Sequence, residues 1–270
     1  MPSFSTLAAV SLPLIRLVSA HGYVAGITVN GGSWVEGSNP NWFYQPEGDV
    51  PETPGWQAEN QDNGFVAPDS FATADIACHK SATPGQTYVE AASGDTLTLY
   101  WNTWPDSHKG PIINYLAKCS GECTSASAGD LSFTKVSEGA WLSGSDPGDW
   151  VTDTLIAQNF TSDFEVPSGL APGNYVLRHE IIALHSAGSE NGAQAYPQCI
   201  NIKVGGSGST SLPRVSPPPS STRRPIPVSS SASTVRLTAT RSPAQRSGAA
   251  KPMCPATLFL DPLVDGLDMV

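Results

Sequence analysis

The stretch "DTLTLYW", residues 95–101, alternates polar and apolar side chains along its length. Successive side chains of a β-strand point to opposite faces, so a period of two is typical of a strand with one buried face. The stretch therefore predicts a strand that packs on a second layer of the fold. Its apolar face comprises Leu97, Leu99 and Trp101, and its polar face comprises Thr96, Thr98 and Tyr100.

Two longer runs also have the character of strands. One is "NYVLRHEIIAL", residues 174–184, which follows the turn signal Ala171-Pro172-Gly173. The other is "QAYPQCINIKV", residues 194–204. Gly, Pro, Asn and Asp separate such runs, and no long stretch has a helical period. The predicted fold class is therefore all-β: an immunoglobulin/fibronectin-III-like β-sandwich with long loops, notably over residues 30–70.

The two ends of the chain differ from this middle part. Residues 1–20 are mostly apolar, contain no acid and end in Val18-Ser19-Ala20, which is typical of a signal peptide cleaved before His21. We therefore expect a secreted, extracellular protein. Residues 206–252 are rich in Ser, Thr, Pro and Arg and contain no aromatic side chain, so they are too poor in large apolar groups to fold alone. The predicted domains are a signal peptide (1–20), a β-sandwich domain (21–205) and a disordered tail (206–270) with no recognisable carbohydrate-binding module.

The net charge of the predicted domain indicates which classes of partner it can bind. Residues 21–205 carry 21 Asp and Glu against 6 Lys and Arg, which gives a net charge of −15. A surface this acidic repels nucleic acid and anionic membranes. A neutral substrate is the more natural partner, and neither nucleic acid nor a membrane is expected as one.

The cysteines predict disulfides rather than zinc, because they follow a secretory leader. One of the five must stay unpaired if two bridges form, and composition alone leaves fifteen pairings open. Cys254 is the candidate for the unpaired thiol, since it lies in the predicted tail. The others are Cys78, Cys119, Cys123 and Cys199. The sequon Asn159-Phe160-Thr161 marks Asn159 as a glycosylation candidate, in keeping with secretion.

The histidines are the candidate chemical groups, although each has a plainer interpretation. His21 is either a functional group or simply the residue that follows a cleavage site. His108 lies in "WPDSHKGP", residues 104–111, and could be an ordinary loop residue. His179 in mid-strand favours a core role, and His79 favours a structural or exposed one. His185 ends a strand and could converge with Gln194 and Tyr196, which lie two residues apart on one face of the next strand.

Taken together, these segments resemble the fungal lytic polysaccharide monooxygenases of auxiliary activity family nine, formerly classed as glycoside hydrolase family sixty-one. The resemblance covers nearly all of residues 21–204, in the expected order, and leaves the tail uncovered. The matching stretches are "HGYV", "DNGFV", "TPG", "GDTLTLYWNTWPDSHKGPIINYLAKC", "APGNYVLRHEIIALHSA" and "NGAQAYPQCINIKV".

The resemblance implies one copper ion, cycling between Cu(II) and Cu(I), in a "histidine brace". His21 would supply its α-amine and a ring nitrogen, and His108 a third nitrogen. An α-amine titrates near pH 8, so a metal can displace its proton, and nitrogen ligands in a tetragonal plane suit Cu(II). Tyr196 would be a weak axial neighbour, with His185 and Gln194 beside it as catalytic groups that do not ligate.

The resemblance also implies the disulfides Cys78–Cys199 and Cys119–Cys123. It implies oxidative cleavage of β-1,4-glucan chains of cellulose by a monomer, with dioxygen or hydrogen peroxide as oxidant. The electron donor would be a small reductant or a cellobiose dehydrogenase-like protein. Aromatic side chains of the long loop are candidates for contact with a flat polysaccharide, although several could belong to the core. They are Trp34, Trp42, Phe43, Tyr44 and Trp56.

Two other classes of protein remain as alternatives. A glycoside hydrolase needs a pair of carboxylates that flank the scissile bond, and no such pair lies in a matching segment beside the histidines. Resistance to a chelator would indicate a hydrolase. A non-catalytic, secreted copper- or carbohydrate-binding β-sandwich could keep His21 and His108 without performing chemistry. Oxidised sugar products would exclude this second alternative.

Overall fold

A computed structural model of the 270-residue chain describes residues 21–46 and 48–213. The predicted signal peptide, Cys254 and the tail from residue 214 onward lie outside these described residues, so the predictions about them stay untested. In the described part, no helix combines the length and the apolar character needed to cross a membrane.

Short strands and few helical turns make up the described domain, as the alternating patterns predict. The helices are α1 (Asp75–Cys78) and α2 (Val151–Ala157), and short 3-10 turns include Pro40–Tyr44 and Pro68–Ser70. The strands are β1 (Val24–Val29), β2 (Val35–Glu36), β3 (Val89–Ala92), β4 (Thr96–Trp101), β5 (Ile112–Lys118), β6 (Thr134–Gly139), β7 (Trp141–Ser143), β8 (Asp149–Trp150), β9 (Thr161–Glu165), β10 (Gly173–Ala183) and β11 (Gln194–Gly205).

Two packed sheets form the predicted sandwich. The first sheet has the order β2-β1-β4-β9, and the second has the order β3-β11-β10-β5-β6. Neighbouring strands are antiparallel except for β3 and β11, which run parallel. Strands β7 and β8 form a separate hairpin. The all-β sandwich fold class is thus confirmed.

The side chains of β4 alternate between buried and half-buried positions, as the sequence pattern predicts. Leu97, Leu99 and Trp101 are buried, whereas the residues between them are only half-buried. The buried set packs between the sheets with Ile27 of β1 and Phe164 of β9. Removal of this apolar surface from water supplies the main driving force for closing the sandwich.

Strands β10 and β11 are buried on both faces, a feature that a simple alternation does not predict. The second sheet is covered on its outer side by the long connection between β2 and β3. Within this connection, Trp56 and Cys78 pack against Val176 of β10 and Cys199 of β11, and Val66 packs with Ile182 and Ala195. The Cys78–Cys199 disulfide fixes the same connection to β11. Cys119–Cys123 closes the turn after β5, so both expected disulfides are present.

The packed domain extends past the predicted boundary at residue 205. Beyond β11, Thr210 forms a parallel bridge to Leu170, and the Ala171 amide donates to the Thr210 carbonyl at 2.8 Å. Leu212 packs against the main core. The domain therefore includes residues 206–213, because backbone pairing holds a polar segment that could not fold alone.

Candidate copper site

Several of the predicted site residues meet at one end of the sandwich. His21 lies just before β1, His108 lies in the connection from β4 to β5, and His185 lies just after β10. The centroids of the His21 and His108 rings are 5.0 Å apart, and those of His108 and His185 are 3.8 Å apart in a stacked arrangement. Sheet pairing accounts for part of the convergence. His21 and the end of β4 lie at one end of the first sheet, and the start of β5 and His185 lie at one end of the second. His108 lies in the connection between the two sheets.

Backbone contacts bring the segment of His21 to the loop of His108. The Tyr23 amide donates to Asn102 Oδ1 at 2.8 Å, and the Asn102 amide donates to the Tyr23 carbonyl at 3.0 Å. Gly22 has no room for a Cβ against the Thr103 carbonyl oxygen. The start of the domain and the residues before His108 therefore lie in direct contact.

The buried ring of His108 has one nitrogen with a partner and one without. Nδ1 lies 3.1 Å from the Ser107 hydroxyl, whereas Nε2 is buried and has no hydrogen-bond partner among the described residues. A buried ring nitrogen without a partner is costly unless a further group binds it. A ring whose Nδ1 is engaged and whose Nε2 is open has the arrangement found in metal-ligating histidines.

The protonation states of the three rings also suit a metal. Burial, assisted by the neighbouring His185 and His21, lowers the pKa of His108 to about 4. Burial lowers the pKa values of His21 and His185 as well. All three imidazoles are therefore neutral near pH 7, and neutral imidazole is the form that ligates.

The side chains of His21 and His108 alone do not complete a metal centre. Within the described ranges, no group of three or more His, Cys, Asp or Glu side chains is arranged to hold an ion. The α-amine that cleavage before His21 would release is the third nitrogen of the predicted brace. The residues present thus fit copper on condition that the chain starts at His21.

Tyr196 and Gln194 lie beside the histidines, as predicted. The Tyr196 ring stacks on that of His21 with centroids 5.2 Å apart, and its hydroxyl donates to Gln194 Oε1 at 2.7 Å. A side-chain hydrogen bond also links Gln194 to His21. Burial, and next the Asp62 carboxylate, raise the pKa of Tyr196, so the phenol keeps its proton. A protonated phenol is a weak ligand, and the axial role of Tyr196 stays a prediction.

Phe65 belongs to the same cluster but was not singled out from the sequence. Its ring centroid lies 6.2 Å from that of His21 and 6.1 Å from that of Tyr196. The neighbouring Gly64 carbonyl accepts a hydrogen bond from His79 Nε2 at 3.0 Å. The segment "DNGFV" resembles the family, but no periodicity marks Phe65 as a site residue.

The other histidines lie elsewhere, as their patterns favoured. His179 is fully buried and accepts a hydrogen bond from Trp101 Nε1 at 3.0 Å, while its Nδ1 pairs with Asn114 Oδ1 at 2.7 Å. His79 is buried, with the structural role just described.

Asn159 is exposed in the turn between α2 and β9, and the Thr161 hydroxyl donates to the Gln158 carbonyl. Its glycosylation stays a prediction.

The loop aromatics divide into three groups. Trp42 and Trp56 are buried core residues. Trp34 is 51% exposed but lies across Gly26 and beside Tyr100 on the outer side of the first sheet. Phe43 and Tyr44 are 65% and 73% exposed, so they remain candidates for contact with substrate. The β7–β8 hairpin adds two exposed apolar side chains outside this loop, Trp141 and Leu142.

The sequence profile of "Auxiliary Activity family 9 (formerly GH61)" matches residues 21–229. The chain is 50% identical over 211 residues to "AA9 family lytic polysaccharide monooxygenase F" of Malbranchea cinnamomea, covering 77% of this chain and 84% of that protein. A relative with the same name from Emericella nidulans is 50% identical over 214 residues, covering 77% and 83% of the two chains.

The fold is also similar to a solved structure, the "Extended catalytic domain of H. jecorina LPMO9A". The TM-score is 0.68 at 47% identity, and the match covers 72% of this chain and 77% of that one. Because the profile match and the identities extend over most of the domain, this chain belongs to Auxiliary Activity family 9, the copper-dependent oxidative enzymes known as lytic polysaccharide monooxygenases.

Proposed function

We propose that this chain is a secreted monooxygenase that oxidatively cleaves the β-1,4-glucan chains of cellulose. His21 would bind one copper ion through its α-amine and ring, and His108 through Nε2. The observation that carries this assignment is the buried His108 Nε2, which has no described partner and belongs to a ring 5.0 Å from that of His21. Copper, when bound, supplies the one-electron redox chemistry by which dioxygen or hydrogen peroxide is activated.

The remaining site residues would do separate work. Ser107 Oγ would accept a hydrogen bond from the Nδ1–H group of His108, which leaves Nε2 without a proton and open to the metal. Gln194 would hold the Tyr196 hydroxyl and the His21 ring in one hydrogen-bonded group. His185, neutral and stacked on His108, would offer hydrogen bonds to the oxygen-bearing reactant. Groups that stabilise the reacting species more than the resting state are those that accelerate a reaction.

Cellulose as substrate is supported by charge and by exposed aromatics. The strongly acidic domain disfavours anionic ligands, and the β-glucan chain is neutral. Phe43 and Tyr44 offer exposed rings on the long loop that precedes the second sheet. An external donor, either a small reductant or a cellobiose dehydrogenase-like protein, would supply the electrons, and the protein would act as a monomer.

Mass spectrometry of the products released from cellulose tests the proposal. The protein, beginning at His21 and loaded with copper, is incubated with cellulose and a reductant, with a chelator-treated sample as control. Oxidised oligosaccharides that require both copper and reductant are expected. Family membership already argues against a hydrolase. Tight copper binding without oxidised products would instead favour the non-catalytic sandwich.

A further inference from the structure

The loop that carries His108 is attached to the first turn of α2, more than forty residues further along the chain. The Gly110 amide donates to Thr152 Oγ1 at 3.1 Å, and Lys109 Nζ lies 2.6 Å from Asp153 Oδ1. Thr152 is 1% exposed, so the first contact is buried. Two consecutive loop residues are thus bound by two consecutive helix residues.

Asp153 lies in the first turn of α2 and is itself held in place by that helix. Its second carboxylate oxygen, Oδ2, accepts the Trp150 backbone amide at 2.7 Å, an acceptor role typical of an acid in the first helical turn. Lys109 therefore meets a carboxylate that is already oriented. A charged hydrogen bond to a pre-oriented partner loses less side-chain freedom than one between two mobile side chains.

The opposite side of the same loop residues is closed by β10. The Leu184 amide donates to the Lys109 carbonyl at 2.9 Å, and Gly110 has no room for a Cβ against the Ile182 carbonyl oxygen. Residues 109 and 110 therefore lie between α2 and the end of β10.

His108 lies between this attachment and a second one. Trp104 Nε1 donates to the His108 carbonyl oxygen at 2.8 Å. The backbone of His108 is thus fixed at its own carbonyl and at the two residues that follow. The direction in which the ring presents Nε2 depends on this backbone.

We infer that Thr152 and Asp153 are positioning residues that set the ring of His108 for copper. The inference rests on the proposed function, since it requires His108 to be a ligand. Loss of a group that orients a ligand typically weakens metal affinity about 10- to 100-fold. A purely structural role would lower the stability of the domain and leave affinity unchanged.

The test compares variants that keep or remove one contact. Thr152→Val removes the acceptor of the Gly110 amide at nearly constant volume, and Thr152→Ser keeps it. Asp153→Asn keeps an acceptor for the helix and removes the charge that faces Lys109. Glu138→Gln is the matched control. Glu138 forms a similar ion pair with Lys135 at 3.0 Å on β6, the strand that pairs with β5. All proteins begin at His21.

Three measurements are made on each protein. They are the Cu(II) dissociation constant by isothermal titration, the Cu(II) paramagnetic resonance spectrum, and the exchange rate of the Gly110 amide in the copper-free protein. Thr152→Val is expected to bind copper about 10-fold or more weakly, with an altered spectrum and faster exchange. Thr152→Ser and Glu138→Gln are expected to resemble the parent protein, and Asp153→Asn to lie between them and Thr152→Val.

Two results would overturn the inference. One is a Thr152→Val protein that binds copper within about twofold of the parent with an unchanged spectrum. The other, decisive if Thr152→Val does not fold, is an Asp153→Asn protein with unchanged affinity and spectrum. Weak copper binding by the parent protein itself would instead mark the failure of the proposed function.

Discussion

The His108 ring lies stacked on the His185 ring, with centroids 3.8 Å apart and planes inclined by 27°. Burial lowers the pKa of both rings, so neither carries a charge near neutral pH and the stack is free of repulsion. Only His108 is buried to the point that its Nε2 lacks a described partner. The two rings can therefore touch and still perform different tasks, one as a ligand and the other as a hydrogen-bonding group.

Replacement of His185 tests this division. We expect His185→Ala to bind copper within a few-fold of the parent but to oxidise cellulose roughly 100-fold more slowly, because a positioned hydrogen-bonding or proton-transferring group contributes about that much. Copper titration and product quantification are made on the same preparations, and melting temperatures control for damage to the sheet end. A His185→Ala protein that no longer holds copper would make His185 a ligand.

The position of the N-terminus is the second test. One extra residue before His21 converts the α-amine into an amide, which is a poor ligand because it retains its proton at neutral pH. Copper affinity should fall by more than about 100-fold, the upper range for losing a mere orienting group. Isothermal titration measures the loss, and the metal-free circular dichroism spectrum should not change. Equal affinity in the two proteins would remove the brace from consideration.

The exposed aromatics allow a matched comparison of substrate binding. Trp34 lies on the outer side of the first sheet, where its Nε1 donates to Glu36 Oε2 at 2.8 Å. Tyr44 is more exposed and lies against Phe43 with ring centroids 5.5 Å apart. We expect Tyr44→Ala to weaken adsorption to cellulose several-fold, whereas Trp34→Ala leaves it unchanged. Depletion of protein from solution by cellulose measures both, and an equal loss for the two variants would contradict this assignment.

Truncation tests the contribution of residues 206–213 to stability. A chain that ends after Pro213 should melt like the full-length protein, whereas one that ends after Val204 should melt several degrees lower. The shorter chain loses the backbone pairing of Thr210 with Leu170 and the burial of Leu212, which together contribute about 1–3 kcal/mol. Differential scanning calorimetry separates the two. Because these contacts lie near the start of β10, remote from His185, copper affinity should be equal in both.

Local patterns predicted the strands well, because a strand with one buried face repeats every two residues. The alternation of β4 is confirmed residue by residue. Both faces of β11 are buried instead, because the connection between β2 and β3 covers the outer side of this strand. The sequence of a strand does not indicate which distant segment will pack on its outer face.

The candidate site was reached by a different route. Resemblance to the family is what predicted a common site for five residues, His21, His108, His185, Gln194 and Tyr196. The sheet register explains why His185 lies near Gln194, because Ala183 pairs with Gln194 at the shared ends of β10 and β11. The contacts of Phe65 and of Thr152 depend on loops and a short helix. Their sequence neighbourhoods contain no repeating pattern, so only the packed structure identifies them.

We expect the free energy of unfolding of the domain to depend on pH through His79. Its Nε2 donates to the Gly64 carbonyl and its Nδ1 accepts the Lys80 amide at 2.9 Å, so the buried ring is neutral with both nitrogens engaged. Burial, with some help from Lys80 and against the Gly64 hydrogen bond, lowers its pKa from 6.5 to about 4. Because the folded pKa is the lower one, the unfolded chain takes up this proton first as the pH falls.

The stability that His79 contributes is therefore fully present above about pH 6.5 and is lost as the pH falls towards 4. Over this window the loss amounts to about 3 kcal/mol for one ring. In a His79→Asn variant, the slope of unfolding free energy against pH should decrease by up to about 1.4 kcal/mol per pH unit. Urea unfolding of the copper-free proteins between pH 7 and pH 4 measures the slopes. Parallel curves for parent and variant would show that His79 takes up its proton equally in both states, against its burial and its bond to Gly64.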